Sequence, residues 1–268
     1  MTKPNILTAE AVSFTGKTVL ITGASSGIGQ ATALRFAEAG ARLYLLGPHA
    51  DGLDQTVKMC AKTDCQHLVY EIDLSDKAKI DEFWDKIDDN DLPDVIVNNA
   101  GIYPIMDYLK VDEDFLKKIL DTNMNSAFWM CQSYIEKRGK LGGIIVNMSS
   151  IEAILPFKKD MTHYSISKAG VIALTRSIAR DYGKLGFRSN VIMPGAIITA
   201  GTKSIMKDAI LGLDIGLIKT GYDFEQRLVD GKWGEPDDVA KVVLFLSSDL
   251  ASYVQGAVIP VDGGFLSS

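Results

Sequence analysis

Seven short apolar runs punctuate the chain, at 18–21, 42–46, 67–70, 95–97, 143–146, 189–192 and 257–259. They begin about 25 to 65 residues apart, too far for tight hairpins. Helix-length segments fill the gaps. Such alternation predicts βαβ crossovers and a parallel sheet covered by helices on both faces, an α/β fold. Two predicted helices, 112–137 and 164–184, are long. The second is apolar nearly all round: Ile166, Ala169, Val171, Ile172, Ala173, Leu174, Ile178 and Ala179. A surface helix needs only one apolar stripe. Burial on both sides therefore points to a partner subunit, or else to a central helix of a large core.

One long stretch, 199–233, breaks the alternation. It carries Ile205, Met206, Ile210, Leu211, Leu213, Ile215, Leu217 and Ile218. Loops of this length inside a compact domain usually serve function. It reads as a short helical lid over a substrate pocket, and a packed helical insertion is compatible with that.

Composition narrows the class. The 268 residues are 47% hydrophobic and 23% charged, with net charge −6 and no Lys/Arg run, which argues against nucleic-acid binding. Cys60, Cys65 and Cys131 are odd in number and form no C-x-x-C, so neither a disulfide framework nor a zinc site is expected. His49, His67 and His163 form no ligand pair, and no metal is expected. Residues 1–17 lack the basic start and apolar run of a signal peptide, and no apolar stretch reaches membrane-spanning length. A cytoplasmic location is the default expectation.

The first strand runs into Thr22-Gly23-Ala24-Ser25-Ser26-Gly27-Ile28-Gly29, and a helix follows. Strand, glycine-rich turn and helix together bind dinucleotides. Gly23 permits the turn, Gly27 lets backbone approach a pyrophosphate, and Gly29 lets the helix pack on the strand. The helix N-terminus offers free N–H groups and the positive end of its dipole.

Tyr164-Ser165-Ile166-Ser167-Lys168 places a phenol and an ammonium four residues apart, on one helical face. A free phenol titrates near pH 10, and a neighbouring positive charge favours its ionised form, as acid–base work at neutral pH requires. Ser149 and Ser150 end a strand just upstream. A hydroxyl there can bond a substrate oxygen as charge develops on it. Asn98-Asn99-Ala100-Gly101 ends another strand, and Asn123 lies in the helix after it. In an open parallel sheet these carboxyl-end loops converge on one crevice.

With these motifs in order, the sequence resembles the short-chain dehydrogenase/reductase family over nearly its whole length. The matches are Thr22 to Gly29 with spacing G-x-x-x-G-x-G, Asp73, Asn98 to Gly101, Asn123, Ser150, Tyr164, Lys168, Pro194-Gly195 with Thr199, and Val261-Asp262-Gly263-Gly264. The resemblance implies a single doubly wound (Rossmann-type) domain over 1–268, a seven-stranded parallel sheet, and a homotetramer or homodimer. It implies an oxidoreductase that moves a hydride between NAD or NADP and a secondary alcohol or ketone. Tyr164 would be the acid–base. Lys168 would hold the nicotinamide ribose and lower the tyrosine pKa. Ser150 would hold the substrate oxygen, and Asn123 would support a water leading to Lys168. The cofactor would be bound by Gly23, Ser25, Ser26, Gly27, Ile28 and Gly29; by His49, Asp73 and Leu74; by Asn99, Ala100 and Gly101; by Tyr164 and Lys168; and by Pro194, Gly195, Ile197 and Thr199.

Two features depart from the family pattern. Ser150 lies 14 residues before Tyr164, one more than the family separation, which leaves Ser149 as a competitor. After the second strand the chain reads Gly47-Pro48-His49-Ala50-Asp51, without the Asp that selects NAD or the Arg that selects NADP at its usual place. His49 could touch a 2′-phosphate, and Asp51 could reach the ribose; the balance leans slightly to NADP.

The expected pocket lining is Ile102, Tyr103, Met106, Ile151, Glu152, Ile154, Phe157, Met161, His163 and the lid. Glu152 could bond a second hydroxyl of a sugar or polyol, or face solvent. His163 could touch substrate, or merely open its helix. The apolar lid suggests a compact or alicyclic ketone. A 3-ketoacyl thioester reductase is the alternative, although no basic docking patch for an acidic carrier is evident. A sugar-nucleotide epimerase would need a larger C-terminal region. A silent cofactor sensor need not keep Tyr, Lys, Ser and Asn together.

Overall fold

The computed structural model describes residues 8–61, 67–211, 215–229 and 231–268. Seven parallel strands form one sheet in the order β3-β2-β1-β4-β5-β6-β7. They are β1 Thr18–Thr22, β2 Arg42–Gly47, β3 His67–Glu71, β4 Val95–Asn98, β5 Gly143–Met148, β6 Phe187–Pro194 and β7 Val258–Val261. Each coincides with one of the seven apolar runs. The helices are α1 Thr8–Ala11, α2 Gly27–Glu38, α3 Ala50–Cys60, α4 Lys77–Asp85, α5 Glu113–Leu120, α6 Ser126–Arg138, α7 Thr162–Tyr182, α8 Ala200–Leu211, α9 Ile215–Arg227 and α10 Pro236–Ser247.

Side chains alternate across a strand, so the inner strands serve two cores. Val19, Ile21, Leu43, Leu45, Val95 and Val97 pack with Phe36 of α2, Leu53 of α3 and Val243 of α10. Leu20, Tyr44, Leu46, Ile96 and Ile145 pack with Phe83 and Trp84 of α4, Met130 and Tyr134 of α6, and Ile178 of α7. Strands buried on both faces must be apolar throughout, which is why they read as unbroken runs. The strand order reverses between β1 and β4. The crevice beyond their carboxyl ends is where such folds bind ligands.

The predicted helix 112–137 is interrupted. A π turn, Asp121–Asn125, separates α5 from α6, and the Ser126 N–H bonds the Asp121 carbonyl five residues back. The stretch 199–233 holds α8 and α9 rather than irregular chain. Its two ends are pinned together: Ile197 bridges Gly234, and the Ile198 N–H donates to the Gly234 carbonyl at 2.8 Å. Of its apolar residues, Leu211 is exposed. Leu213 and the side chains of Ile205, Met206, Ile210, Ile215, Leu217 and Ile218 lie outside the described residues, as does Cys65. A third core beneath this region joins Ile151, Val171, Val191, Phe224, Leu228 and Phe265.

On α7, Val171, Ile172, Ile178 and Ala179 are buried, whereas Ile166, Ala169 and Ala173 are exposed. Among the described residues no helix is long and apolar enough to cross a membrane, and no His/Cys/Asp/Glu cluster could hold a metal.

Candidate active site

A cavity of about 770 Å³ opens along the carboxyl ends of the strands. One end is built from the glycine loop. Gly23 and Gly27 have φ of +64° and +56°, conformations that penalise any side chain. A Cβ on Gly29 would lie 2.2 Å from the Gly23 carbonyl oxygen, so the helix can pack here only as glycine. Ser26 caps α2 without a side-chain hydrogen bond, leaving the first-turn N–H groups to a ligand. Ser25, Ser26, Gly27 and Ile28 line the wall, while Gly29 lies beneath it.

The loop is braced from β4. The Thr22 hydroxyl accepts the N–H groups of Asn99 and Ala100, each at 3.0 Å. The Asn99 amide donates to the carbonyls of Thr22 and Gly23 at 3.1 and 3.2 Å. Asn99 thus fixes the loop as well as lining the cavity. Further along stand His49, Asp73, Leu74, Ala100, Gly101, Pro194, Gly195, Ile197 and Thr199, all named from the sequence. Asp73 accepts the Ser75 hydroxyl and N–H, which hold its carboxyl below the usual range. Asp51 does not reach this wall.

These residues fit a dinucleotide. Positive-φ glycines, a helix N-terminus without a side-chain cap and a continuous cavity wall offer a pyrophosphate free N–H groups and close approach to the backbone.

The other end of the cavity carries the polar constellation. Tyr164 and Lys168 both line it from α7, and Ser149 and Ser150 from the end of β5. Lys168 is fully buried; its ammonium donates to the Met148 carbonyl at 2.9 Å and lies 5.9 Å from the Tyr164 ring centroid. Burial pushes it down to about 8. Burial pushes the Tyr164 phenol up to about 12; a hydrogen bond with Ser150 opposes the rise and the Glu152 charge adds to it. In the protein alone, therefore, desolvation outweighs the expected pull of Lys168 on the phenol.

The two serines divide their work. The Ser149 hydroxyl donates to the Lys168 carbonyl at 2.7 Å and so ties β5 to α7. The Ser150 hydroxyl faces Tyr164 and accepts the Glu152 N–H at 3.2 Å. Asn123 stands behind the wall rather than in it. Its carbonyl accepts the Ile102 N–H at 2.7 Å, and its amide donates to the Ile102 carbonyl at 2.8 Å and the Ser167 hydroxyl at 3.2 Å. A Cβ on Gly101 would sit 3.2 Å from the Lys168 ammonium and 3.3 Å from Asn123 Oδ1, so glycine leaves room for both groups here.

His163 does not belong to the site. Its Nε2 donates to the Pro104 carbonyl at 2.8 Å, and its buried ring meets Phe115 edge-on. One residue along a helix is a rotation of about 100°; with Tyr164 turned inward, His163 turns toward α5. Met106 and the exposed Ile154 likewise leave the wall, whereas Ile102, Tyr103, Ile151, Glu152, Phe157 and Met161 line it. Glu152 does not simply face solvent. Its carboxylate accepts the N–H groups of Phe157 and Lys158 at 3.2 and 3.1 Å, and burial raises its pKa.

Sequence reasoning missed Lys158, and it named the lid only as a segment; from that segment Thr202, Thr220, Tyr222, Glu225 and Trp233 reach the wall. It also missed a buried relay that positions the site. The Asn98 amide donates to the Asn147 carbonyl at 2.8 Å, and the Asn147 amide donates to the Thr175 hydroxyl at 2.9 Å, which itself donates to the Val171 carbonyl. β4, β5 and α7 are thereby locked in register. Polar residues within apolar strands were the available signal.

Comparison with known proteins matches this arrangement. The family model described as enoyl-(acyl carrier protein) reductase matches residues 23–266. The chain is 37% identical to L-rhamnose 1-dehydrogenase (NAD(P)(+)) of a Sphingomonas species over 93% of its length and 96% of the relative's. It is 33% identical to 2-dehydro-3-deoxy-D-gluconate 5-dehydrogenase of Bacillus subtilis, over 96% and 98%. The crystal structure of levodione reductase superposes with a TM-score of 0.87 at 33% identity, covering 95% of this chain and 99% of that one. The fold, the glycine loop and these relatives agree that the chain belongs to the short-chain dehydrogenase/reductase family, as an NAD- or NADP-dependent oxidoreductase acting between alcohol and carbonyl groups.

Proposed function

We propose that residues 1–268 form one catalytic domain in which Tyr164 is the general acid–base, Ser150 holds the reacting oxygen, and Lys168 and Asn123 organise the proton supply. The observation carrying this is the convergence of Ser150, Tyr164 and Lys168 on the cavity that the glycine loop closes at its far end. A nicotinamide cofactor, when bound, supplies or accepts the hydride. In the reducing direction the Tyr164 O–H donates its proton to the substrate oxygen while the Ser150 hydroxyl donates a hydrogen bond to it. At about 12 the phenol of the protein alone keeps its proton. Lys168, near 8, is charged at neutral pH and favours the phenolate that remains. The segment 199–233 closes over the substrate.

The substrate reading is a sugar, polyol or small alicyclic alcohol. The polar wall of Glu152, Lys158, Thr220 and Tyr222 supports it, and two of the relatives named above act by name on a sugar or a sugar-acid derivative. A 3-ketoacyl thioester reductase is the second reading, which the family model's description favours. NADP is preferred over NAD, because His49 lines the adenosine end while no carboxylate follows β2 on the wall. The exposed apolar residues of α6 and α7, Phe128 and Ile166, suit a homo-oligomer, a tetramer or dimer. The buried free thiol of Cys131 suits the reducing cytoplasm.

Titration with NADH and NADPH, read by nicotinamide fluorescence, tests the reading. Saturation by NADPH at lower concentration than NADH is expected. Saturation by neither would overturn the assignment of the loop.

A further inference from the structure

Lys158 is a cation built into the cavity wall that makes no salt bridge among the described residues, with the Glu152 charge acting on it from beyond ion-pairing range. It lines the cavity and is half-buried. No carboxylate of the described residues lies within ion-pairing distance of its ammonium. Its backbone is held from two sides. The Lys158 N–H donates to Glu152 at 3.1 Å, and the preceding Phe157 ring packs edge-on against Phe224 and Phe265 at centroid separations of 5.7 and 5.1 Å. Burial lowers the ammonium pKa, and the Glu152 charge opposes this only in part. A buried charge left unpaired is costly, and a ligand that supplies the missing charge recovers that cost as specificity.

We propose that Lys158 anchors a carboxylate of the substrate, which makes the physiological substrate a hydroxy or keto acid of the polyol type. This rests on the oxidoreductase reading above and narrows it. The two acidic neighbours do not oppose the assignment. Glu152 is turned onto the N–H groups of Phe157 and Lys158, which meet its charge. Glu225, on α9, is exposed at the mouth, where water screens it. A single ammonium matches a singly charged carboxylate better than a phosphate, for which several donors would be expected. The remaining hydroxyls of such a substrate find Tyr103, Tyr222 and Thr220 on the same wall.

The test uses the full-length enzyme saturated with NADPH, after fluorescence has established that the cofactor binds. Gluconate, mannonate and galactonate are titrated by calorimetry against glucitol, mannitol and galactitol. Steady-state oxidation of the same six compounds follows with NADP. At least one hexonate should bind about tenfold or more tightly than its hexitol, and this preference should weaken with salt. In Lys158→Met the preference should collapse toward unity, through KM rather than kcat, and Lys158→Arg should restore part of it. Absence of any hexonate preference, or its survival in Lys158→Met, overturns the anchor whether or not any compound is oxidised. Tighter binding of glucitol 6-phosphate than of every hexonate overturns the carboxylate assignment. If Glu225→Gln abolishes the preference as fully as Lys158→Met does, Lys158 acts as a lid clasp instead. Failure of both NADPH and NADH to bind is a separate result, and it removes the oxidoreductase reading itself.

Discussion

The two ends of the cavity are built on different principles. At the cofactor end the wall is backbone: glycines at positive φ, a helix N-terminus, and carbonyls braced by Asn99 and Thr22. The strands behind it are fully buried. At the other end, proposed to take the substrate, the wall is side chain: Tyr103, Glu152, Lys158, Thr220, Tyr222 and Trp233, with Thr220 and Tyr222 on α9, which packs through Phe224 on the third core. Backbone cannot be varied residue by residue without breaking the fold, whereas side chains can. A common cofactor and changeable substrates are therefore served by the same crevice.

Tyr164→Phe should sharpen this contrast most. It removes the transferable proton, so turnover should fall by about 10³-fold, in line with general acid–base contributions. NADPH affinity, measured by fluorescence, should stay within about threefold, because the wall at the other end is untouched. Retention of most activity would show that another group is the acid.

Gly29→Val attacks the backbone end. The new Cβ would press on the Gly23 carbonyl oxygen 2.2 Å away. A loss of about 3 kcal/mol in urea unfolding is expected from such overpacking, together with loss of cofactor binding. Unchanged affinity for both cofactors would sink the account of the loop.

Thr175→Val tests whether the relay couples the ends. It leaves the buried Asn147 amide without its acceptor, at a cost of about 1–3 kcal/mol. Because α7 carries Tyr164 and Lys168, kcat should drop while NADPH affinity holds. Loss of stability with kcat unchanged would make the relay purely structural.

The pH dependence of stability gives a smaller effect. Lys168 in the folded protein stands at about 8, below its ordinary 10.5. Between these values the unfolded chain binds a proton that the folded chain has released, so this group makes stability rise with pH. Below 8 both states are protonated, and the burial cost is fully present. Cys60 and Cys131, raised by burial, pull the other way above about 9. The wild-type protein should therefore gain on Lys168→Met between pH 8 and 9; parallel profiles would contradict the buried ammonium. Arg35→Ala should matter least. It breaks the bond pair to Asp237 between α2 and α10, about a third exposed, and should cost about 0.5–1 kcal/mol.

The inner strands were legible in the sequence because burial on both faces demands unbroken apolar runs, and the crossover spacing between the runs sets them apart from buried helix segments. The glycine-lined wall was legible for a similar reason: Gly23 and Gly27 take positive φ, and a Cβ on Gly29 would press on the Gly23 carbonyl oxygen. The other end was legible only in part: Ile102, Tyr103, Ile151, Glu152, Phe157 and Met161 line it as expected. His163 was drawn in by its adjacency to Tyr164, but sequence neighbours on a helix point apart. The apolar residues of 199–233 suggested a greasy lid, and its described contribution to the wall mixes Thr202, Thr220, Tyr222 and Glu225 with the rings of Phe224 and Trp233. Nothing in the sequence sets Lys158 apart, and only the fold shows that it is half-buried.

The π turn at 121–125 acts as a phase shifter. A regular helix through this stretch would hold one residue fewer, and each residue of α helix turns the chain by about 100°. The extra residue lets α5 and α6 each keep its own apolar side on the protein while Asn123 is brought round to Ile102 and Ser167. Deleting a single residue there would give a smoother helix and a worse enzyme, with α6 rotated against α4 or Asn123 turned away. The irregularity is the gear that lets one continuous rod satisfy two separate meshing requirements.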